Sequence, residues 1–476
     1  MDAHLNAPEP TISRSLHEPN ETQSHEGALR MNLLARFRGG VHPDDRKTTA
    51  ASATQPLPRP QRVVIPLRQH IGAPCQPLVR KGDQVALGQP IGTAEAPVSA
   101  PVHASVSGTV AAVEPWRTPG GRMEQAVVIE PAPEDQPWEG LPDGLGWDLD
   151  PESLDPAFIR DRVRQAGLVG MGGAGFPAAV KLTPKPGTEP DVVILNGAEC
   201  EPAITSDHRL MLEHPEQVVL GLRLFMRASG AKRGIIAVEA NKPDAAGKLS
   251  QLVAGDPAIS VEVLPVRYPQ GAEKMLVWAL LRRAVPVGGI PLDVGAVVQN
   301  VATAAAAAVA LAEGRPLTHR IVTVTGRVTR PGNWLVPLGT SFVDLVEASG
   351  GLTGPLARVI AGGPMMGIAQ PDLDVPVIKT TGSVILLGPE DLDETPAGPC
   401  IRCGRCVAAC PMGLLPARLC SAALAGDWGA AERYHVRACM ECGSCSYVCP
   451  ARRPLVQSIR LAKYELGRRA AAGGRG

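Results

Sequence analysis

"CIRCGRCVAACP" at residues 400–411 and "CMECGSCSYVCP" at residues 439–450 repeat one spacing, Cys-x2-Cys-x2-Cys-x3-Cys-Pro, and take eight of the 11 cysteines in this 476-residue chain. Two such runs at one end of a long chain do not read as a disulfide scaffold, which belongs to small exported domains. Structural zinc takes cysteine pairs split by a longer loop, whereas three cysteines at three-residue steps wrap three corners of a cubane iron–sulfur cluster. The spacing therefore predicts two 4Fe–4S clusters. In runs of this kind the fourth cysteine serves the other cluster. Crosswise ligation assigns Cys400, Cys403, Cys406 and Cys449 to one cluster and Cys439, Cys442, Cys445 and Cys410 to the other. Pro411 and Pro450 then turn the chain away from each site.

Between the runs, "PMGLLPARLCSAALAGDWGAAERYHVRA" places apolar residues at helical spacing among alanine, leucine and arginine, which predicts a helical ferredoxin-type domain over 391–465. Cys420 inside it reads as a packed apolar cysteine, and Cys75 and Cys200 fall outside the cluster spacing. The length is that of several domains. Lysine plus arginine equals aspartate plus glutamate, 47 against 47, a balance that gives no surface for nucleic acid. The most apolar run, "VATAAAAAVALA" at 301–312, is shorter than the ~18 residues of a membrane span. The polar start lacks a secretory signal, so the chain is expected on the cytoplasmic side, with residues 1–30 a disordered tail and 466–476 a loose basic one.

Two clusters move single electrons, and the candidate for loading them is "GLVGMGGAGFPAAVKL" at 167–182. Gly170, Gly172, Gly173 and Gly175 let backbone approach a phosphate or a ring, and the helix expected to follow points amides at an anion. "DPAFIRDRVRQAG" before the loop reads as a helix, whereas a standard dinucleotide fingerprint follows a strand.

"GMGGAGFP" followed by "VILNGAECEP" (193–202), "YPQGAEKML" (268–276) and "VQNVATA" (298–304) resembles the flavin and NADH-binding subunit of respiratory complex I. With "FRGGVHP" (37–43) before it and "GGPMMG" (362–367) after it, the chain from about 31 to 465 resembles the C subunit of Rnf electron-transport complexes. The resemblance implies non-covalent FMN in the glycine loop, at Gly170, Gly172, Gly173, Ala174 and Gly175. Lys181 suits a phosphate. Asn196 and Asn300 suit ring heteroatoms or ribityl hydroxyls. Glu199, Glu201 and Glu273 match acidic positions near flavin and nicotinamide nucleotide, and Phe176 suits stacking on a ring. The chain departs from complex I at Met171, Ala198 and Ala272, where that relative has arginine, aspartate and glutamate.

The expected fold class is multidomain α/β. A barrel-sandwich module over 31–140 resembles biotinyl or lipoyl carriers, but its segment "TAEAPVSAPVHASVSG" carries no lysine to modify. There follow a Rossmann-like FMN/NADH domain over 141–317, a β-grasp (SLBB-like) module over 318–390 and the helical ferredoxin-type domain. The function implied is that of a peripheral component of an ion-translocating ferredoxin:NAD oxidoreductase at the inner membrane, partnered by integral Rnf subunits, by ferredoxin and by NAD(H). The alternatives are a soluble flavin and iron–sulfur reductase, such as a cobalamin reductase, and a non-catalytic electron-transfer adaptor.

Overall fold

A computed structural model describes residues 37–184 and 187–473; the tail expected at 1–30 lies outside them. The centre is a four-stranded parallel sheet in the order Ile259–Leu264, Arg233–Glu239, Val192–Gly197, Ala296–Asn300. Its strands are near-continuous apolar runs because helices cover both faces, and buried clusters lie on each side. Helix Val301–Ala312 packs against helix Pro215–Ser229 where Gly221 lies: a Cβ there would sit 2.0 Å from the carbonyl oxygen of Ala304. Only glycine admits that approach.

The barrel-sandwich consists of a four-stranded sheet (Val63–Pro66, Met123–Pro131, Gly108–Arg117, Gln84–Val85) facing a three-stranded one (Gln76–Pro77, Pro90–Thr93, Val102–His103) over one apolar core. The β-grasp region forms a six-stranded sheet with helix Phe342–Ala348, whose Ser341 cap accepts from the Asp344 amide. The C-terminal region is helical, as the alanine and leucine spacing predicts.

Two segments near the expected boundaries take paths of their own. Residues 37–57 pair outside the two barrel-sandwich sheets. They form a strap across the other domains, and Thr54–Pro56 pairs in parallel with Gly332–Pro337 at the edge of the β-grasp sheet. The final helix runs Leu455–Gly473, through much of the expected tail, since "RRAAAG" consists largely of strong helix formers. Among the described residues no helix is long and apolar enough to cross a membrane.

Candidate functional site

The glycine loop lies beside the carboxyl ends of Val192–Gly197 and Ala296–Asn300. From the first of these strands the sheet grows to one side through Arg233–Glu239, while Ala296–Asn300 joins on the other. Such a reversal of strand order is where open α/β sheets bind ligands. The loop is closed by a Gly170 amide donating to the Phe176 carbonyl at 2.8 Å, and it is tied down by the Met171 amide donating to Thr303 Oγ1 at 3.1 Å. Buried Arg320 donates to the Met171 carbonyl at 3.2 Å. From outside, Gly175 (φ +71°) is crowded by Gln69 and Thr380, and its carbonyl accepts from the Ile71 amide, so both neighbouring modules brace the loop. The helix that follows, Ala178–Lys181, is a single turn. The anion-directed helix expected there is not formed, and any phosphate contact falls to the loop amides and to Lys181.

Lys181 pairs with Glu273 and donates to the Val298 carbonyl at 3.1 Å. Asn196 donates to the Gly271 carbonyl at 2.8 Å. Asn300 is the N-cap of Val301–Ala312: its Oδ1 accepts from the Ala302 amide, and its Nδ2 donates to buried Asp207 at 2.6 Å. Phe176 is half-buried at the loop's end. These residues come together.

Glu199 and Glu201 do not open onto the loop. Glu199, with φ at 46°, turns inward and accepts from the Asp207 amide at 2.7 Å and the His208 amide at 3.3 Å. Burial pushes its carboxyl up to about 7, against the pull of Lys47. Lys47, on the strap, donates to the carbonyls of Glu199 (2.7 Å), Glu201 (2.9 Å) and Ile204 (2.6 Å), and burial lowers its ammonium from the usual lysine range. Glu201 accepts from the amides of Met365 and Met366 at 3.0 and 2.8 Å, in the "GGPMMG" turn. Both carboxylates fasten loops.

Whether the crevice fits FMN is decided by its open edge. Gly172, Gly173 and Ala174 are exposed, and a Cβ on Gly172 would lie 2.7 Å from Asn300 Nδ2. Gln299 is buried, and neither atom of its amide has a partner. A buried amide left unsatisfied next in sequence to Asn300, and a bare glycine edge against Asn300 itself, fit a polar ligand. FMN, with its phosphate, hydroxyls and ring heteroatoms, meets that requirement. Sequence reasoning misses Gln299 and Asp207; the one available signal is that Gln299 stands inside "VQNVATA", next to Asn300.

The cysteines gather crosswise. Cys410, Cys439, Cys442 and Cys445 line one cavity with Met412, Leu414 and Ile459. Backbone amides of Leu414 and Glu441 point at the sulfurs of Cys410 and Cys439, at 3.4 and 3.3 Å, as a thiolate requires. Burial pushes the Cys439 thiol up to about 11 and Cys445 up to about 12, with the neighbouring cysteines adding to it. Cys406 and Cys449 pack together around Cys420 and Leu455, while Cys400 and Cys403 are exposed. Among the described residues no three His, Cys, Asp or Glu side chains are placed to hold a single metal ion. The donor set fits 4Fe–4S clusters.

The inner cysteine cavity abuts the flavin domain. Tyr268, 2% exposed, donates its hydroxyl to the Cys442 carbonyl at 2.7 Å. The strap passes through this junction. The Gly40 amide donates to the Ala409 carbonyl at 2.9 Å, and Val41 exchanges backbone hydrogen bonds with Tyr268.

Comparison with known proteins agrees region by region. Residues 35–134 match the RnfC barrel sandwich hybrid domain, 163–309 the Nuo51 FMN-binding domain, 321–369 the SLBB domain and 395–450 a 4Fe-4S dicluster domain. The chain is 45% identical over 439 residues to the C subunit of the proton-translocating ferredoxin:NAD(+) oxidoreductase complex of Clostridium ljungdahlii, covering 91% of this chain and 94% of that one. To the Na(+)-translocating counterpart of Acetobacterium woodii it is 43% identical over 90% of this chain and 97% of that one. To the C subunit of the ion-translocating oxidoreductase complex of Rhodobacter capsulatus it is 40% identical over 91% and 83%.

Proposed function

From the premise that this chain belongs to the family of C subunits of ion-translocating ferredoxin:NAD(+) oxidoreductase complexes, we propose that it exchanges electrons between NAD(H) and ferredoxin through FMN and two 4Fe–4S clusters. It acts as a peripheral component on the cytoplasmic side of the inner membrane, docked to integral subunits that move the ion. The observation that carries the reading is the junction at Tyr268, whose hydroxyl reaches a backbone carbonyl of the inner cysteine set from the flavin domain.

FMN, when bound, supplies the exchange between a two-electron hydride and single electrons. The chain's own residues prepare that exchange. Lys181, held by Glu273 and the Val298 carbonyl, sets a cation at the loop. The bare edge at Gly172 and Gly173 admits the group, and Gln299 offers it a donor and an acceptor. Apolar packing of Val41, Tyr268, Ala409 and Cys442 keeps water out of the way to the inner cysteines.

Anaerobic purification with iron, sulfide and flavin counted, followed by NADH addition, tests the reading. About eight irons, one FMN and rapid bleaching of the flavin band are expected. Eight irons with no flavin, or flavin indifferent to NADH, would replace this function with that of an electron-transfer adaptor. Co-purification with membranes separates a component of the membrane complex from a soluble reductase.

A further inference from the structure

The two cysteine runs fold alike and carry opposite charges. Arg402 and Glu441 hold the same place in the repeat and share a left-handed backbone, φ +58° and +60°; two residues on, Gly404 and Gly443 match at +75° and +82°. A helical turn then begins at Arg405 in one run and at Ser444 in the other. The equivalence sets two arginines against one glutamate and one serine. Arg402 and Arg405 are exposed, and no carboxylate among the described residues pairs with either. Glu441 is held by Arg460 at 3.0 Å and by Lys463.

Burial divides the runs in the same sense. Cys442, Gly443, Ser444 and Cys445 are buried, with the Met365 carbonyl 2.8 Å from where a Cβ on Gly443 would lie, whereas Cys400, Cys403, Gly404 and Arg405 are exposed. The Cys439 run is thus the inner set and the Cys400 run the outer one. A third cation belongs to the outer set. Half-buried Arg453 donates from Nη2 to the sulfur of buried Cys420 at 3.6 Å, and Cys420 donates to Ser458 Oγ at 3.4 Å. Cys420 packs in one cluster with outer Cys406 and Cys449 and inner Cys445. The hydrogen bond to Cys420, with the fields of Cys420, Cys400 and Cys449, holds the Arg453 guanidinium above the ordinary arginine range. Its Nε is buried with no partner among the described residues, and a buried N–H requires an acceptor. Backbone amides do not separate the sets, since those of Leu414 and Glu441 reach inner sulfurs and that of Ala417 reaches Cys406.

Reduction adds one negative charge to a cluster. Nearby cations favour that state and burial opposes it, so charge and exposure both set a cluster's potential. Here both act in one direction. We propose that the outer cluster has the higher reduction potential of the two and that Arg453, oriented by Cys420, is the residue that chiefly raises it. An electron shared by the pair leaves the inner cluster oxidised and rests on the outer one; no bond breaks and no proton moves. The inference rests on the two-cluster relay proposed above and adds its energetic order.

The test is anaerobic potentiometry of the holoprotein read by electron paramagnetic resonance. On lowering the potential, the first signal to appear is expected to be the one altered by Cys403→Ser, not the one altered by Cys442→Ser. Arg453→Gln should lower the reduced-to-oxidised ratio of that first cluster about tenfold at a fixed potential, which is about 59 mV for one electron, and leave the second cluster unmoved. Arg453→Lys should keep most of the wild-type value, with iron content at the wild-type level in both variants. Arg402→Glu, which copies the inner run at an exposed position, should lower the same cluster by less, and it decides the matter if Arg453→Gln loses iron. An inner cluster that reduces first, or a fully loaded Arg453→Gln variant whose two potentials stay unchanged or fall together, would overturn the proposal. Fewer than about eight irons in the wild type would remove the relay and this order with it. A flavin indifferent to NADH removes the proposed function and leaves the order of potentials standing.

Discussion

Replacing Gly39 by alanine strikes the junction where strap meets inner cysteine set. Gly39 has φ +75°, and an added Cβ would lie 2.7 Å from both the carbonyl carbon and oxygen of Cys410 and 2.9 Å from the nitrogen of Pro411. All three are backbone atoms, so no side-chain rotation relieves the contact. The left-handed conformation costs an L-residue roughly 1–2 kcal/mol, and forcing a methyl into packed surroundings adds roughly 1–3 kcal/mol. The sum is about 2–5 kcal/mol. Gly121→Ala separates the two contributions, because Gly121 has the same φ of +75° with nothing within 4 Å of the added carbon. Anaerobic denaturant titration of the holoproteins should place Gly121→Ala about 1–2 kcal/mol below wild type and Gly39→Ala well below that, with iron lost from the Cys410 side. Equal midpoints for the two variants, with full iron in both, would refute the close approach of strap and cysteine loop.

Replacing Cys410 by serine should chiefly damage the electron paramagnetic resonance signal of the cluster assigned to Cys439, Cys442 and Cys445, with which it shares a cavity; loss confined to the Cys400 set would reject the crossing. Gly172→Val should abolish flavin retention while leaving iron unchanged, since even a Cβ meets Asn300 Nδ2 at 2.7 Å, and parallel loss of iron would show misfolding instead. Burial, helped by nearby Lys379, lowers buried His70 to about 4 and His103 to about 3. Both stay neutral in the fold while the unfolded chain takes up protons below about 6.5, so stability is lost as pH falls from there, each histidine approaching about 1.4 kcal/mol per pH unit. His103→Gln should flatten the stability profile measured between pH 6.5 and 5, and an unaltered slope would contradict its neutrality.

The cluster set was legible in the sequence because a cubane dictates its own spacing, and runs 39 residues apart (400 to 439) meet at the cavity that Cys410 shares with Cys439. The glycine loop was legible for a similar reason: close approach demands glycine. The partners of Glu199 and Glu201 were not legible because an acidic pair in a flavin-type motif carries no mark of what it faces, and those partners lie far off in the chain. Lys47 reaches Glu201 across 154 positions, and the Met365 amide reaches it across 164. The strap was invisible on the same grounds. Residues 37–57 have no periodicity that announces a cover, and their hydrogen bonds go to regions that local pattern does not connect.

The strap also fixes an order of events during synthesis. Its partners are Tyr268, Asn333 and Ala409, so a segment made early by the ribosome waits for residues made much later, and contacts of such long range form late. Until Ala409 emerges, the strap lacks its last mooring. Iron and sulfide delivered to the inner cysteines before the strap closes meet an uncovered site, and closure afterwards seals them in. A chain truncated before the second cysteine run loses three of the four cysteines of the inner set and one of the four of the outer set, so biogenesis machinery must act on the nearly finished polypeptide.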